Sequence, residues 1–138
     1  MIDTLTFLAG VLYAEARGEG LEGRLLVLGT MVERAGNYDA EDMRWVASIP
    51  AHYAEPDFPD TAKPIEVRAW QECVALVRGV CAGKIVPPSV QFSDGSFGRP
   101  NHFYNPDQCE ETPAWAIGQP WHDSGNHRFV RVGKEHVE

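Results

Sequence analysis

Proline punctuates the second half of this chain and limits what it can become. Six of the ten prolines fall between Pro87 and Pro120. Each lacks an amide hydrogen and has a fixed φ, so neither a long helix nor the central strand of a wide sheet can run through that segment. Short extended pieces remain. Val90-Gln91-Phe92, His102-Phe103-Tyr104 and Arg128-Phe129-Val130-Arg131-Val132 read as two or three short strands among loops. Up to Gly83 the pattern is helical instead. Leu5, Leu8, Ala9, Leu12 and Ala16 recur at helical spacing behind a cap at Asp3 or Thr4. Leu21, Leu25, Leu28 and Val32 form a second stripe, and Leu26, Val27 and Met31 make the other side of that helix apolar too, so it should be the most buried. Gly29 within it signals close helix packing.

The helices also carry their own stop signals. Ala35-Gly36-Asn37 supplies residues suited to a left-handed end, and Asp39 can cap a short third helix through Trp45 and Val46, closed by Pro50. Pro50 to Pro64 is loop. A fourth helix starts near Pro64 and puts Trp70, Cys73, Val74, Val77 and Cys81 on one face, with Gly83 at its C-terminal end. There is no internal repeat. The prediction is one α+β domain over residues 1–138, helices first and a small irregular antiparallel sheet last.

Twelve Lys and Arg against twenty Asp and Glu leave a formal net charge of −8. Affinity for duplex nucleic acid comes mostly from neutralising phosphates, and Arg24, Arg34 and Arg44 are scattered rather than gathered into a patch, so nucleic acid is excluded as a partner. An anionic membrane surface is disfavoured for the same reason. Runs such as Leu25 to Leu28 are far too short to span a bilayer. The apolar start lacks the basic flank of a signal peptide, since Arg17 is the first basic side chain and Asp3 precedes it. The expected route is synthesis in the cytoplasm and no general secretory export. Cys73 and Cys81, on one predicted helix, would lie ~12 Å apart, too far for a disulfide. With Cys109 they read as buried, reduced thiols.

Glu15 is the most informative residue. It follows Leu8, Val11 and Leu12 at seven, four and three residues and so stands beside the apolar stripe. Desolvation there would raise its pKa and keep part of it protonated, as a general acid for a glycosidic oxygen requires. Gly18 and Gly20 open the backbone beyond it, and Arg17 could hold a second carboxylate, Glu19, ionised. A Glu–Arg pair that ties down a helix end would leave the same spacing.

Tyr13-Ala14-Glu15-Ala16-Arg17-Gly18-Glu19, then Glu22-Gly23, then an apolar helix ending in Arg34, resembles the opening of the SleB/CwlJ-type cell-wall hydrolases. That family comprises spore-cortex-lytic and related bacterial and phage peptidoglycan hydrolases. His102-Phe103-Tyr104-Asn105-Pro106, Pro113-Ala114-Trp115 and Gly125-Asn126-His127-Arg128-Phe129 are similar to its later elements, in its order. The chain departs from the family in carrying Glu33-Arg34 where Asn-Arg is usual, and in placing Gln91-Phe92-Ser93 after the long helix rather than before it.

The resemblance implies a lysozyme-like, lytic-transglycosylase-like fold. It implies cleavage of the glycan between N-acetylmuramic acid and N-acetylglucosamine, with the essential carboxylate on Glu15 and no cofactor or metal. A two-carboxylate muramidase would need Glu19 at ~5 Å as nucleophile or ~6.5–9.5 Å as base. A transglycosylase needs Glu15 alone, which is the preferred expectation. Phe103, Tyr104 and Trp115 offer flat faces for pyranose rings. His102, Asn105 and His127 could hydrogen-bond sugar substituents, with Gln91 and Ser93 as further candidates. Each could equally serve packing or loop bracing. The partner is then a peptidoglycan glycan strand, met by a monomer after holin release or as part of a phage particle. Three alternatives stay open: a thiol amidase built on Cys109 with His102 or His127, a zinc amidase built on His102, His122 and His127, and a non-catalytic glycan-binding phage component.

Overall fold

A computed structural model describes residues 2–133, so the two ends of the 1–138 domain reading lie outside the described residues. Four helices come first: α1 (Thr4–Ala16), α2 (Leu21–Ala35), α3 (Ala40–Ala47) and α4 (Pro64–Cys81). Five short strands follow: β1 (Val90–Gln91), β2 (Phe97–Gly98), β3 (His102–Tyr104), β4 (Trp121–Ser124) and β5 (His127–Val130). The architecture is α+β, as the proline distribution requires.

The helix ends follow from their side chains. The Asp3 carboxylate accepts the Thr6 amide at 2.8 Å, and that of Asp39 accepts the Asp42 amide at 3.1 Å. Gly36 closes α2 at φ 79°, and Gly83 follows α4 at φ 73°, both in the left-handed region open to glycine. Leu8 to Tyr13 of α1 and Leu26 to Val32 of α2 are unbroken buried runs, and with Met43, Cys73 and Val77 they form the core. Leu21 departs from its expected stripe. It begins α2 and is 62% exposed. On α4, Leu76 and Val80 join Cys73 and Val77 in the buried face, while Trp70, Val74 and Cys81 sit at its margin.

Strands β3, β5 and β4 form an antiparallel sheet in that order, with Phe103 opposite Phe129 and Ser124 opposite His127. Strands β1 and β2 form a separate hairpin. Phe129 is fully buried against the helical core, and Phe103 packs beside it with ring centroids 5.6 Å apart. The sheet is therefore anchored to the helices by its aromatic side chains. Gly29 has its close neighbour in Pro87, whose Cβ lies 3.1 Å from where a glycine Cβ would stand, rather than in another helix.

The loop between α3 and α4 crosses α1 at Gly10. The Asp57 amide donates to the Gly10 carbonyl at 3.0 Å, and a Cβ on Gly10 would meet Pro56 Cβ at 2.8 Å. Only glycine allows that approach, and the crossing lays Tyr53 and Ala54 beside the C-terminal end of α1.

Two expectations about exposure are corrected. Cys109 is exposed, because it follows a 3-10 turn at the surface, while Cys73 is buried, Cys81 is half-buried and all three are free. Arg24 is not an available surface cation. It is 6% exposed, its guanidinium turned inward to the end of α1, where Nε donates to Ala16 O at 3.1 Å and Nη2 to Arg17 O at 2.7 Å. These are carbonyls that a helix C-terminus leaves unpaired.

Candidate active site

Glu15 occupies the last turn of α1, on the side opposite Tyr13. Residues two apart on a helix diverge by about 200°. Tyr13, fully buried, donates from its hydroxyl to Glu66 at 3.2 Å, while Arg17 lies 4.3 Å over its ring and pairs with Asp57. That face is structural. On the other face, one Glu15 oxygen accepts the Ala54 amide at 2.7 Å. Burial raises the Glu15 pKa from its ordinary value, and the Ala54 amide opposes the rise. The beside-the-stripe position read from the sequence is where the carboxyl stands.

Tyr53 adjoins it. Its hydroxyl shares a 2.9 Å hydrogen bond with Thr30 Oγ1 at the centre of α2. Burial raises its pKa, and the Glu15 charge adds to the rise. From Tyr53 the aromatic packing continues to Phe103 at 5.6 Å between centroids, then to His127 at 5.1 Å. Phe103 also borders a groove of about 730 Å³, whose walls carry Arg34, Trp45, His52, His102, Tyr104 and Trp115. Trp45 is 69% exposed there, a large apolar surface on α3 left to solvent. Ala51, also in the wall, holds φ 67°, a costly value for a residue with a Cβ. Glu15 is not itself part of the groove wall; Tyr53 and Phe103 stand between.

The histidines divide. His102 faces Trp115 with centroids 5.0 Å apart and shares a 3.0 Å contact between Nδ1 and Asn101 Oδ1. Burial first, then the charges of Arg34 and His52, press its pKa down to about 4, so its ring is neutral at pH 7. His127 is 7% exposed with Nδ1 unpartnered, and burial lowers its pKa against the opposing charge of Glu19.

Glu19 is not held by Arg17, which is committed to Asp57 and Tyr13. Instead it accepts the Asn126 amide at 3.3 Å and fills the space beside Gly125, where a Cβ would lie 1.7 Å from its Oε1. Glu22 accepts the Ser124 hydroxyl at 2.8 Å. The two carboxylates clip the β4–β5 turn to the α1–α2 connection. Three other candidates also brace the fold. Asn105 accepts the Asp107 amide at 3.0 Å and caps a 3-10 turn. The Gln91 carbonyl contacts His122 Nδ1 at 3.1 Å. Ser93 exchanges hydrogen bonds with the backbone of Trp121 and borders a separate hollow of about 440 Å³ beside Arg128. Tyr104 is shared between the hollow and the groove.

The structure thus gathers His102, Phe103, Tyr104 and Trp115 around one groove, with Glu15 behind Tyr53 at its margin. Gln91, Ser93 and Glu19 are on other contacts. Sequence reasoning missed Tyr53, Ala54 and His52, which lie in a loop without periodicity, and the groove roles of Arg34 and Trp45. Burial presses the Cys73 thiol up to about 11. Among the described residues no three His, Cys, Asp or Glu side chains are grouped to hold a metal ion. No helix among the described residues is long and apolar enough to cross a membrane.

Comparison with protein-family models, with curated proteins and with solved structures finds no match for this chain.

Proposed function

We propose that the chain is a peptidoglycan-cleaving glycosidase of lysozyme-like fold, akin to the SleB/CwlJ-type cell-wall hydrolases, with Glu15 as its general acid. The observation that carries this reading is the half-buried Glu15 carboxyl, raised in pKa by burial and held by the Ala54 amide of the loop whose Tyr53 packs on Phe103, a ring of the groove wall. Burial disfavours the charged form, so this carboxyl keeps its proton to higher pH than an exposed glutamate and can give it to a glycosidic oxygen. The Ala54 amide fixes one oxygen, and the other has no hydrogen-bond partner among the described residues.

A single carboxylate suffices if the substrate supplies the nucleophile. Glu15 protonates the oxygen leaving C1 of the muramic acid. The resulting carboxylate then takes the proton of the same sugar's C6 hydroxyl, whose oxygen closes on C1 and forms the 1,6-anhydro ring. Charge and protons balance, and no water enters. The engagement of Glu19 with the β4–β5 turn favours this lytic transglycosylase route over a muramidase using both carboxylates. On this reading the chain is made in the cytoplasm and reaches glycan strands by holin release or on a phage particle.

The test is Glu15→Gln on purified cell walls. Clearing should fall at least a hundredfold, the scale of a lost general acid. The melting midpoint should stay within a few degrees or rise, because a costly buried carboxyl is removed. A folded Glu15→Gln protein with full lytic activity would end the glycosidase reading.

A further inference from the structure

We propose that the groove beside Tyr53 is a receptor for a carboxylate carried on the glycan, with Arg34 as the residue that selects it; this rests on the glycosidase reading above. Arg34 is half-buried in the groove wall. Its neighbours are the Tyr53 ring, 5.7 Å from its guanidinium carbon, and the His52 ring. Among the described residues it has no carboxylate partner. Glu33, adjacent in sequence and also in the groove wall, does not serve. Its two oxygens are taken by Arg99 at 3.1 Å and Arg131 at 3.2 Å, so its charge is more than matched.

Nor do the groove histidines compete for an anion as fixed charges or repel one. Burial and the Arg34 charge lower the pKa of both His52 and His102, which leaves neutral rings with one acceptor and one donor each. The groove therefore carries one unmatched permanent cation in a chain of net charge −8. That contrast with the other hollow is chemical as well as electrostatic. Its arginine, Arg128, is spent in a two-pronged pair with Asp123 at 2.7 and 2.9 Å.

The rest of the wall says what kind of anion fits. Trp45, Tyr104 and Trp115 line the groove, and aromatic rings suit the apolar face of a pyranose. A guanidinium beside aromatic shelves matches a sugar bearing a carboxylate, held by a charge-assisted hydrogen bond. In peptidoglycan that carboxylate is either the lactyl group of muramic acid or an acid of its peptide stem. A neutral amino-sugar polymer offers the shelves the same rings and gives Arg34 nothing.

The experiment measures binding in the catalytically silent Glu15→Gln protein by titration calorimetry. Three probes are used: the GlcNAc–MurNAc tetrasaccharide with free lactyl carboxylates, the same backbone carrying peptide stems, and chitotetraose. Arg34→Gln should weaken one or both carboxylate probes about tenfold or more, the loss expected for one charge-assisted bond. Chitotetraose affinity should stay within twofold, and Arg34→Lys should restore part of the loss. Whichever carboxylate probe responds names the source. Equal losses for all three probes, or none for either carboxylate probe, overturn the role of Arg34 and leave the glycosidase reading standing. If the Glu15→Gln parent binds none of the probes and the wild-type protein leaves cell walls intact, both readings fall.

Discussion

Truncating Arg24 to alanine should show how the end of α1, and with it Glu15, is held. The guanidinium is buried and donates to two backbone carbonyls, Ala16 at 3.1 Å and Arg17 at 2.7 Å. Hydrogen bonds from charged donors contribute more than neutral ones, and a carbonyl that loses its only buried donor costs about 2 kcal/mol. The Arg17 carbonyl is assigned that cost. The Ala16 carbonyl keeps the Glu19 amide at 3.0 Å, so its loss is smaller, about 1 kcal/mol. The ion pair with Glu72 adds little, since the Glu72 side chain is 56% exposed. The sum is about 3 kcal/mol, or roughly a 10 °C lower melting midpoint for a domain of this size.

Thermal unfolding followed by far-ultraviolet circular dichroism measures this. Arg24→Met separates the contributions, because it keeps the apolar stem and removes the donors. Lysis assayed well below both midpoints should also fall in Arg24→Ala, since Glu15 stands in the turn that frays. A loss under ~1 kcal/mol with unchanged lysis would refute the view that Arg24 fixes the Glu15 end of α1.

Three further outcomes are expected. Activity should decline on the alkaline side with a midpoint above the ordinary glutamate value, because burial raises the Glu15 pKa and the acid must be protonated; a pH–rate profile checks this, and a flat profile contradicts it. Burial, with the Arg34 and His52 charges, holds the folded His102 pKa down at about 4, so the unfolded chain takes up the proton first and the stability tied to this group is lost as pH falls from the ordinary imidazole range toward that value; urea midpoints at pH 7 and 4.5 should differ less in His102→Gln than in the parent. Digested walls should yield anhydro-muramic ends by mass spectrometry, with Glu19→Gln only mildly impaired, whereas reducing ends and a strong Glu19→Gln defect would make Glu19 the second carboxylate.

The helices were legible because each carries its own punctuation. Asp3 and Asp39 cap, Pro64 opens a first turn, Gly36 and Gly83 terminate, and the apolar spacing between them is regular. Three of the five strands were legible from alternating aromatics. β2 was not, because two residues carry no period. β4 was not, because Trp121-His122-Asp123-Ser124 has no apolar face to display and is held by its pairing to β5. The site divides in the same way. Glu15 could be found from its place beside a helical stripe, a local property. Tyr53 and Ala54 could not, because what brings them to Glu15 is a distant contact, the passage of Pro56 and Asp57 over Gly10. Arg17 was expected to serve Glu19, and the same loop explains why it does not. Asp57 arrives on the Tyr13 side of α1 and takes the guanidinium, while Glu19 turns to the β4–β5 turn.

The Glu33-Arg34 pair shows how one substitution of residue type can separate scaffold from specificity. Adjacent residues on a helix point about 100° apart, so a carboxylate and a guanidinium at consecutive positions do not face each other. Glu33 reaches Arg99 and Arg131, in the segments flanking β3 and β5, and so ties the last turn of α2 to the sheet across 66 residues of chain in one case and 98 in the other. Arg34, one position on, is left facing the groove with two neutral rings beside it. An asparagine at position 33 could accept hydrogen bonds from those arginines but could not balance their charge. Arg99 and Arg131 would then lose the one carboxylate they share at the end of α2. The glutamate thus does more than anchor the sheet. Engaged by Arg99 and Arg131, its carboxylate does not pair with Arg34, whose guanidinium, on the reading proposed above, stays open to a ligand.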